Sequence, residues 1–189
     1  MLLHLYLSFI LCFAACEESD HISNPNIQNH IYQTAIRFSR EKTWYYDAAY
    51  YSISYPNGDV PSGGACTDVI IRVLREQNID LQRLIHEDMK RNFDAYPRLW
   101  GLTRPDPNID HRRVPNIMRY FERKGYGLPI TSHQNNYKPG DIITWELDGK
   151  LTHIGIYLGN SAVYHNIGSY AKIDQNFLFR YPIIGHYRL

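Results

Sequence analysis

From Asp141 onward the hydrophobic pattern of this chain switches from helical to alternating, and that switch limits the possible folds more than any other feature. Asp141 to Leu147, His153 to Leu158, Ala162 to Ile167 and Ile183 to Arg188 are β-rich runs separated by turns. Asp148-Gly149 is a hairpin signal, and Gly159-Asn160-Ser161 marks a second turn. Ahead of Asp141, apolar residues recur at helical spacing. Ile27, Ile31, Ala35 and Phe38 predict a helix to about Arg40. Val69, Ile70, Val73 and Leu74 give a helix from Cys66 to about Glu76 one apolar face, and Asp80 is a suitable N-cap for the next. A further helix, Asn116 to Lys124, stops at Gly125. Helices first and an antiparallel sheet afterwards predict a single α+β domain, which the length of 189 residues allows. Between Tyr96 and Pro115 runs a long, Pro-rich, charged loop of the kind that is usually functional or disordered; Trp100 and the prolines favour order.

The N-terminus reads separately. Leu2 to Ala15 is apolar, without a formal charge, and too short for a confident membrane span. It ends Phe13-Ala14-Ala15-Cys16 and is followed by Glu17, Glu18, Ser19 and Asp20. This resembles the lipobox of bacterial lipoproteins, which implies cleavage before Cys16 and a lipid on its sulfur; plain secretion is the alternative. The expected organisation is a signal peptide over 1–15, a lipidated tether over 16–26 and the α+β domain over 27–189. The expected location is the cell envelope, periplasm or outer membrane, with the membrane reached through the lipid. Cysteine counting then isolates Cys66: Cys12 leaves with the leader, Cys16 is acylated, and Cys66 remains as a lone thiol outside the cytoplasm. Such a thiol is either buried and inert or reactive and used. The formal net charge of +1 points to no nucleic-acid partner.

Gly63-Gly64 lets the backbone turn sharply into the helix that opens at Cys66. A helix N-terminus carries partial positive charge and unpaired N–H groups, which favour a thiolate and can hold an oxyanion. The competing reading is a structural cysteine. His153 opens a strand in which Ile154, Ile156 and Leu158 face the core, so His153, Gly155 and Tyr157 face the other way. Gly155 leaves room beside the imidazole, as a cleft requires. The group that orients His153 depends on the turn. A three-residue loop, Gly159-Asn160-Ser161, puts His165 on the His153 face; a two-residue turn, Gly159-Asn160, puts Asn166 there instead. His165 is favoured, and Asn166 is the alternative.

The runs Lys138-Pro139-Gly140-Asp141-Ile142-Ile143-Thr144-Trp145, His153-Ile154-Gly155-Ile156-Tyr157-Leu158-Gly159 and Val163-Tyr164-His165 resemble the core of NlpC-type cell-wall peptidases. The resemblance implies a papain-like fold and a catalytic Cys66, His153 and His165, the second histidine lying twelve residues after the first. It also implies a tyrosine before the cysteine at the oxyanion, for which Tyr55 is the best match. Departing from the usual Asp-Cys-Ser-Gly, this chain reads Ala65-Cys66-Thr67-Asp68. A second resemblance covers almost the whole chain after the leader. Tyr55-Pro56-Asn57-Gly58-Asp59-Val60-Pro61, Arg104-Pro105-Asp106-Pro107-Asn108-Ile109-Asp110-His111-Arg112-Arg113-Val114-Pro115-Asn116 and Gly185-His186-Tyr187-Arg188 are similar to a bacterial family known as domain of unknown function number twelve-eighty-seven.

Together these imply a monomeric cysteine hydrolase without cofactor or metal that cleaves amide bonds in peptidoglycan peptides, as endopeptidase or amidase. A non-catalytic cell-wall binding module and an acyltransferase on the same fold are the rivals. Arg112 and Arg113 are candidates to grip a substrate carboxylate, against salt bridges to Asp106 and Asp110 that brace the loop. Asp68 reads as a helix-end charge, Asp141 as a turn residue, and His86, Glu87 and Asp88 as solvated.

Overall fold

The structure is a computed structural model that describes residues 26–189. The leader, Cys16 and nearly all of the tether lie outside the described residues. Four α-helices come first: α1 (Ile27–Glu41), α2 (Cys66–Arg75), α3 (Leu81–Arg91) and α4 (Val114–Arg123). Five strands follow: β1 (Ile142–Leu147), β2 (Leu151–Gly159), β3 (Ala162–Asn166), β4 (Ala171–Asp174) and β5 (Ile183–Tyr187). They form one antiparallel sheet in the order β4-β3-β2-β1-β5, so the C-terminal strand crosses back to close the β1 edge. The α+β architecture is therefore the one expected from the period switch.

Local chemistry accounts for most boundaries. Asp80 accepts a hydrogen bond from the Gln82 N–H and caps α3. Pro115 sits in the first turn of α4, where its missing N–H costs nothing. β4 was not read from the sequence; Ala171–Asp174 is short and its outer residues are only half-buried, so it shows little alternation.

Both faces of the sheet are covered. Ile154, Ile156 and Leu158 join the helices in one core with Ile31, Ile70 and Ile117. On the other face Ile143, Trp145, Tyr157 and Val163 pack with Phe177 and Leu178, from the segment after β4. The His153 face was expected to form a cleft, but Phe177 and Leu178 cover it.

The turn between β2 and β3 differs from both versions considered above. Gly159 pairs with Ala162, so the turn is Asn160-Ser161, with φ of 49° and 61°. Two left-handed residues are the mark of a two-residue hairpin turn that matches strand twist. The register slips between Tyr157 and Gly159, which leaves Leu158 as an extra residue. That bulge, not a three-residue loop, restores the parity and brings His165 to the His153 face.

Candidate active site

The chain enters α2 through a turn only glycine can make. Gly64 has φ +144°, and a Cβ there would stand 2.7 Å from the Asp68 Cβ. The turn is tied on two sides: the Gly64 N–H donates to the Tyr45 carbonyl (2.9 Å), and the Gly64 carbonyl accepts from the Asp47 N–H (3.1 Å) and from Asn166 Nδ2 (2.7 Å). Asp68 then anchors the helix start. Its Oδ2 accepts from the Ala65 N–H at 2.7 Å, and its two oxygens accept from Arg112 Nε and Nη2 at 2.9 and 3.0 Å. The Asp68 and Arg112 side chains are 3% and 2% exposed, so this is a buried ion pair. Arg112 also donates to the Ala49 carbonyl (2.7 Å), which pins the loop before the turn.

Cys66 is half-buried at this helix end, and its sulfur faces the N–H groups of Ile154, Thr67 and Cys66 itself. Ile154 directly follows His153, so the thiol lies beside the start of β2. Burial pushes the thiol up to about 11, and the charge of Asp68 adds to this against the lowering effect of the N–H groups. The helix end therefore does not hold a thiolate in the resting protein, contrary to the expectation from sequence. Desolvation outweighs the hydrogen bonds that the Ile154, Thr67 and Cys66 N–H groups offer the sulfur.

His153 and His165 are brought together. His153 Nε2 lies 2.7 Å from His165 Nδ1, and both rings are buried. Gly155 makes this possible, because a Cβ there would stand 2.7 Å from Val163 Cγ1 and 3.1 Å from the His165 Cβ. The room it leaves is thus filled by the second histidine's strand. Trp145 flanks His153 at 6.0 Å between ring centres, and Phe177 lies 4.2 Å from His165. Burial pushes His153 down to about 3 and His165 to about 4, the latter against the raising pull of Asp174. Both rings are accordingly neutral near pH 7. With Nε2 of His153 engaged, Nδ1 is the nitrogen left to act as a base.

Other sequence candidates fall elsewhere. Asn166 points to the helix side of the sheet, where Nδ2 holds the Gly64 and Trp44 carbonyls; it positions the cysteine turn instead of the imidazole. Tyr55 is corrected as an oxyanion group: its hydroxyl donates to Glu87 Oε1 at 2.8 Å and its ring packs on His86 of α3. Arg112 is corrected as a substrate ligand, since its guanidinium is buried against Asp68. Arg113 lies 3.8 Å from Asp110 and covers the Trp100 ring at 4.7 Å, the bracing role weighed against substrate binding. Asp141 is more than a turn residue. Fully buried, it accepts from His186 (2.8 Å), Arg188 (2.7 Å) and Gln28 (2.6 Å) as well as from the Lys138 N–H. Asp88, expected in solvent, is buried and accepts from Arg123 and Tyr96.

Sequence reasoning missed Asp174. Its Oδ2 lies 3.1 Å from His165 Nε2, and its Oδ1 lies 3.2 Å from Lys172 Nζ. The only signal was a charged pair spaced by two, Lys172 and Asp174, which any exposed strand also shows.

The family described as a domain of unknown function (DUF1287) matches residues 33–189. An uncharacterized protein of Escherichia coli strain K12, YijF, is 48% identical over 153 residues, covering 77% of this chain and 74% of its own. Among solved structures, NlpC2 and NlpC1 from Trichomonas vaginalis align with TM-scores of 0.46 and 0.48 at 16% and 15% identity. These alignments cover 89% and 91% of this chain but 48% of each of the others, so the chain spans about half their length.

Proposed function

The chain belongs to the family described as a domain of unknown function (DUF1287), and on that premise we propose that it is a papain-like cysteine hydrolase cleaving amide bonds in cell-wall peptides. The observation that carries this reading is the buried pair of neutral histidines joined at 2.7 Å, His153 on β2, the strand against which Cys66 packs, and His165 on the neighbouring β3. In the proposed reaction His153 Nδ1 takes the thiol proton as the sulfur attacks the amide carbonyl. The N–H groups at the start of α2 receive the oxyanion. His153 returns the proton to the leaving amine, and water then hydrolyses the thioester, releasing a carboxylic acid and the free thiol. A thiol that rests near 11 gives up its proton only as the carbonyl is attacked, so thiol and imidazole start as a neutral pair. The substrate class follows from the resemblance of the histidine strands to NlpC-type sequences, and export with a lipid on Cys16 from the leader.

One observation favours a second reading, a binding module on the same fold: burial leaves the Cys66 thiol far from ionisation. Incubating the purified protein with peptidoglycan fragments and weighing the products separates the two. Hydrolysis yields a new amine and a new acid whose masses sum to substrate plus water. Retention of intact fragments on the protein, with no new mass, supports the module.

A further inference from the structure

His165 is itself held from behind. Asp174 Oδ2 stands 3.1 Å from His165 Nε2, while Lys172 Nζ occupies the other carboxylate oxygen at 3.2 Å. His165 pairs with Lys172 across the β3–β4 ladder, and Arg180 adds its charge from the following segment. Phe177 closes the remaining side of the ring at 4.2 Å.

A carboxylate can only accept hydrogen bonds. Burial alone would raise the Asp174 carboxyl, but hydrogen bonds from Lys172 and His165 outweigh it and keep it below its ordinary value. The proton between Asp174 and His165 therefore sits on His165 Nε2. A neutral imidazole carries one N–H, so His165 Nδ1 is a bare acceptor. The 2.7 Å contact needs one proton, and His153 Nε2 must supply it. That leaves His153 Nδ1 with its lone pair free.

From this chain of contacts we infer that Asp174 is a positioning residue that sets the tautomers of both histidines and so makes His153 a base. It acts on the proposed reaction only through His165 and His153. The functional half of the inference rests on the hydrolase reading; the tautomers do not.

Asp174→Asn gives a sharp test, because an amide has one oxygen. Lys172 can only donate and takes that oxygen, so the amide NH2 is turned toward His165 Nε2. His165 must then carry its proton on Nδ1, His153 Nε2 must accept, and the His153 proton moves to Nδ1, where it blocks the base. Two-bond 15N–1H correlation spectra of the full chain read each tautomer directly. In the wild type, both His153 and His165 are expected as Nε2–H. In Asp174→Asn, both are expected as Nδ1–H, with kcat lower by about 10²-fold or more and KM little changed. Adding Lys172→Ala to Asp174→Asn frees the amide to turn its oxygen to His165, and both tautomers and turnover are expected to recover. A wild-type His153 protonated at Nδ1 would overturn the inference, whether or not any variant folds. So would unchanged tautomers in Asp174→Asn, or a double variant that behaves like the single one. Absence of turnover in the wild type defeats the hydrolase reading instead and leaves the tautomer test standing.

Discussion

Burying a charge decides the residue scale in two opposite ways. At Arg112 and Asp68 two charges share one dry site and satisfy each other through two hydrogen bonds. Removing one partner strands the other, which typically costs about 3–5 kcal/mol. Arg112→Met is therefore expected to lower unfolding stability by about that amount in chemical denaturation. A loss confined to KM, with stability unchanged, would restore Arg112 as a substrate ligand. At Cys66 a single ionisable group is desolvated and stays neutral. The rate of alkylation by a small thiol reagent is expected to keep rising with pH beyond about 8.5, where a free cysteine is half ionised. A plateau reached below pH 7 would show a preformed thiolate. The sequence alone pointed to the thiolate, because glycines and a helix start are visible in it and the depth of burial is not.

At the scale of elements, the site depends on β3 reading in two directions at once. His165 faces the second core and meets His153, while its neighbour Asn166 faces the helices and holds the turn before Cys66. Asn166→Ala removes both carbonyl contacts and is expected to cost about 1–3 kcal/mol of stability. It should also lower turnover while leaving the histidine tautomers as in the wild type. A shifted His153 tautomer in that variant would mean that Asn166 touches the imidazole network after all. The pairing of His153 with His165 was legible in the even offset between them, but its cause was not. The parity comes from a bulge at Leu158 and a two-residue turn, and a bulge leaves no residue signature in a run of apolar side chains. The helices were read to within a few residues, because caps and apolar stripes are local. β4, the Asp174 contact and the buried face over His153 were missed, because each depends on which distant segment folds across the sheet.

On the scale of the whole molecule, buried histidines set the acid response. His111 and His153 are pushed down to about 3 and His165 to about 4, chiefly by burial. An unfolded histidine titrates near 6.5, so between about 6.5 and those values the unfolded chain binds more protons. The stability these groups contribute is complete above about 6.5 and is lost as pH falls. Asp110 works the other way: burial raises it to about 6, so the folded state gains on acidification through that value. Three histidines outweigh one carboxyl, and the thermal midpoint is expected to fall from pH 7 to pH 5. A flat or rising profile would mean that these rings are solvated or charged in the folded protein.

All three scales converge on a thiol that must become a thioester for the chain to act as a hydrolase. The most direct measurement is a single-turnover reaction with a cell-wall peptide fragment, quenched in acid and mapped by mass. The stretch that carries Cys66 is expected to gain the mass of the acyl half of the cleaved fragment, and Cys66→Ala is expected to show neither adduct nor product. Product formed by the Cys66→Ala protein at the wild-type rate would contradict a nucleophilic Cys66.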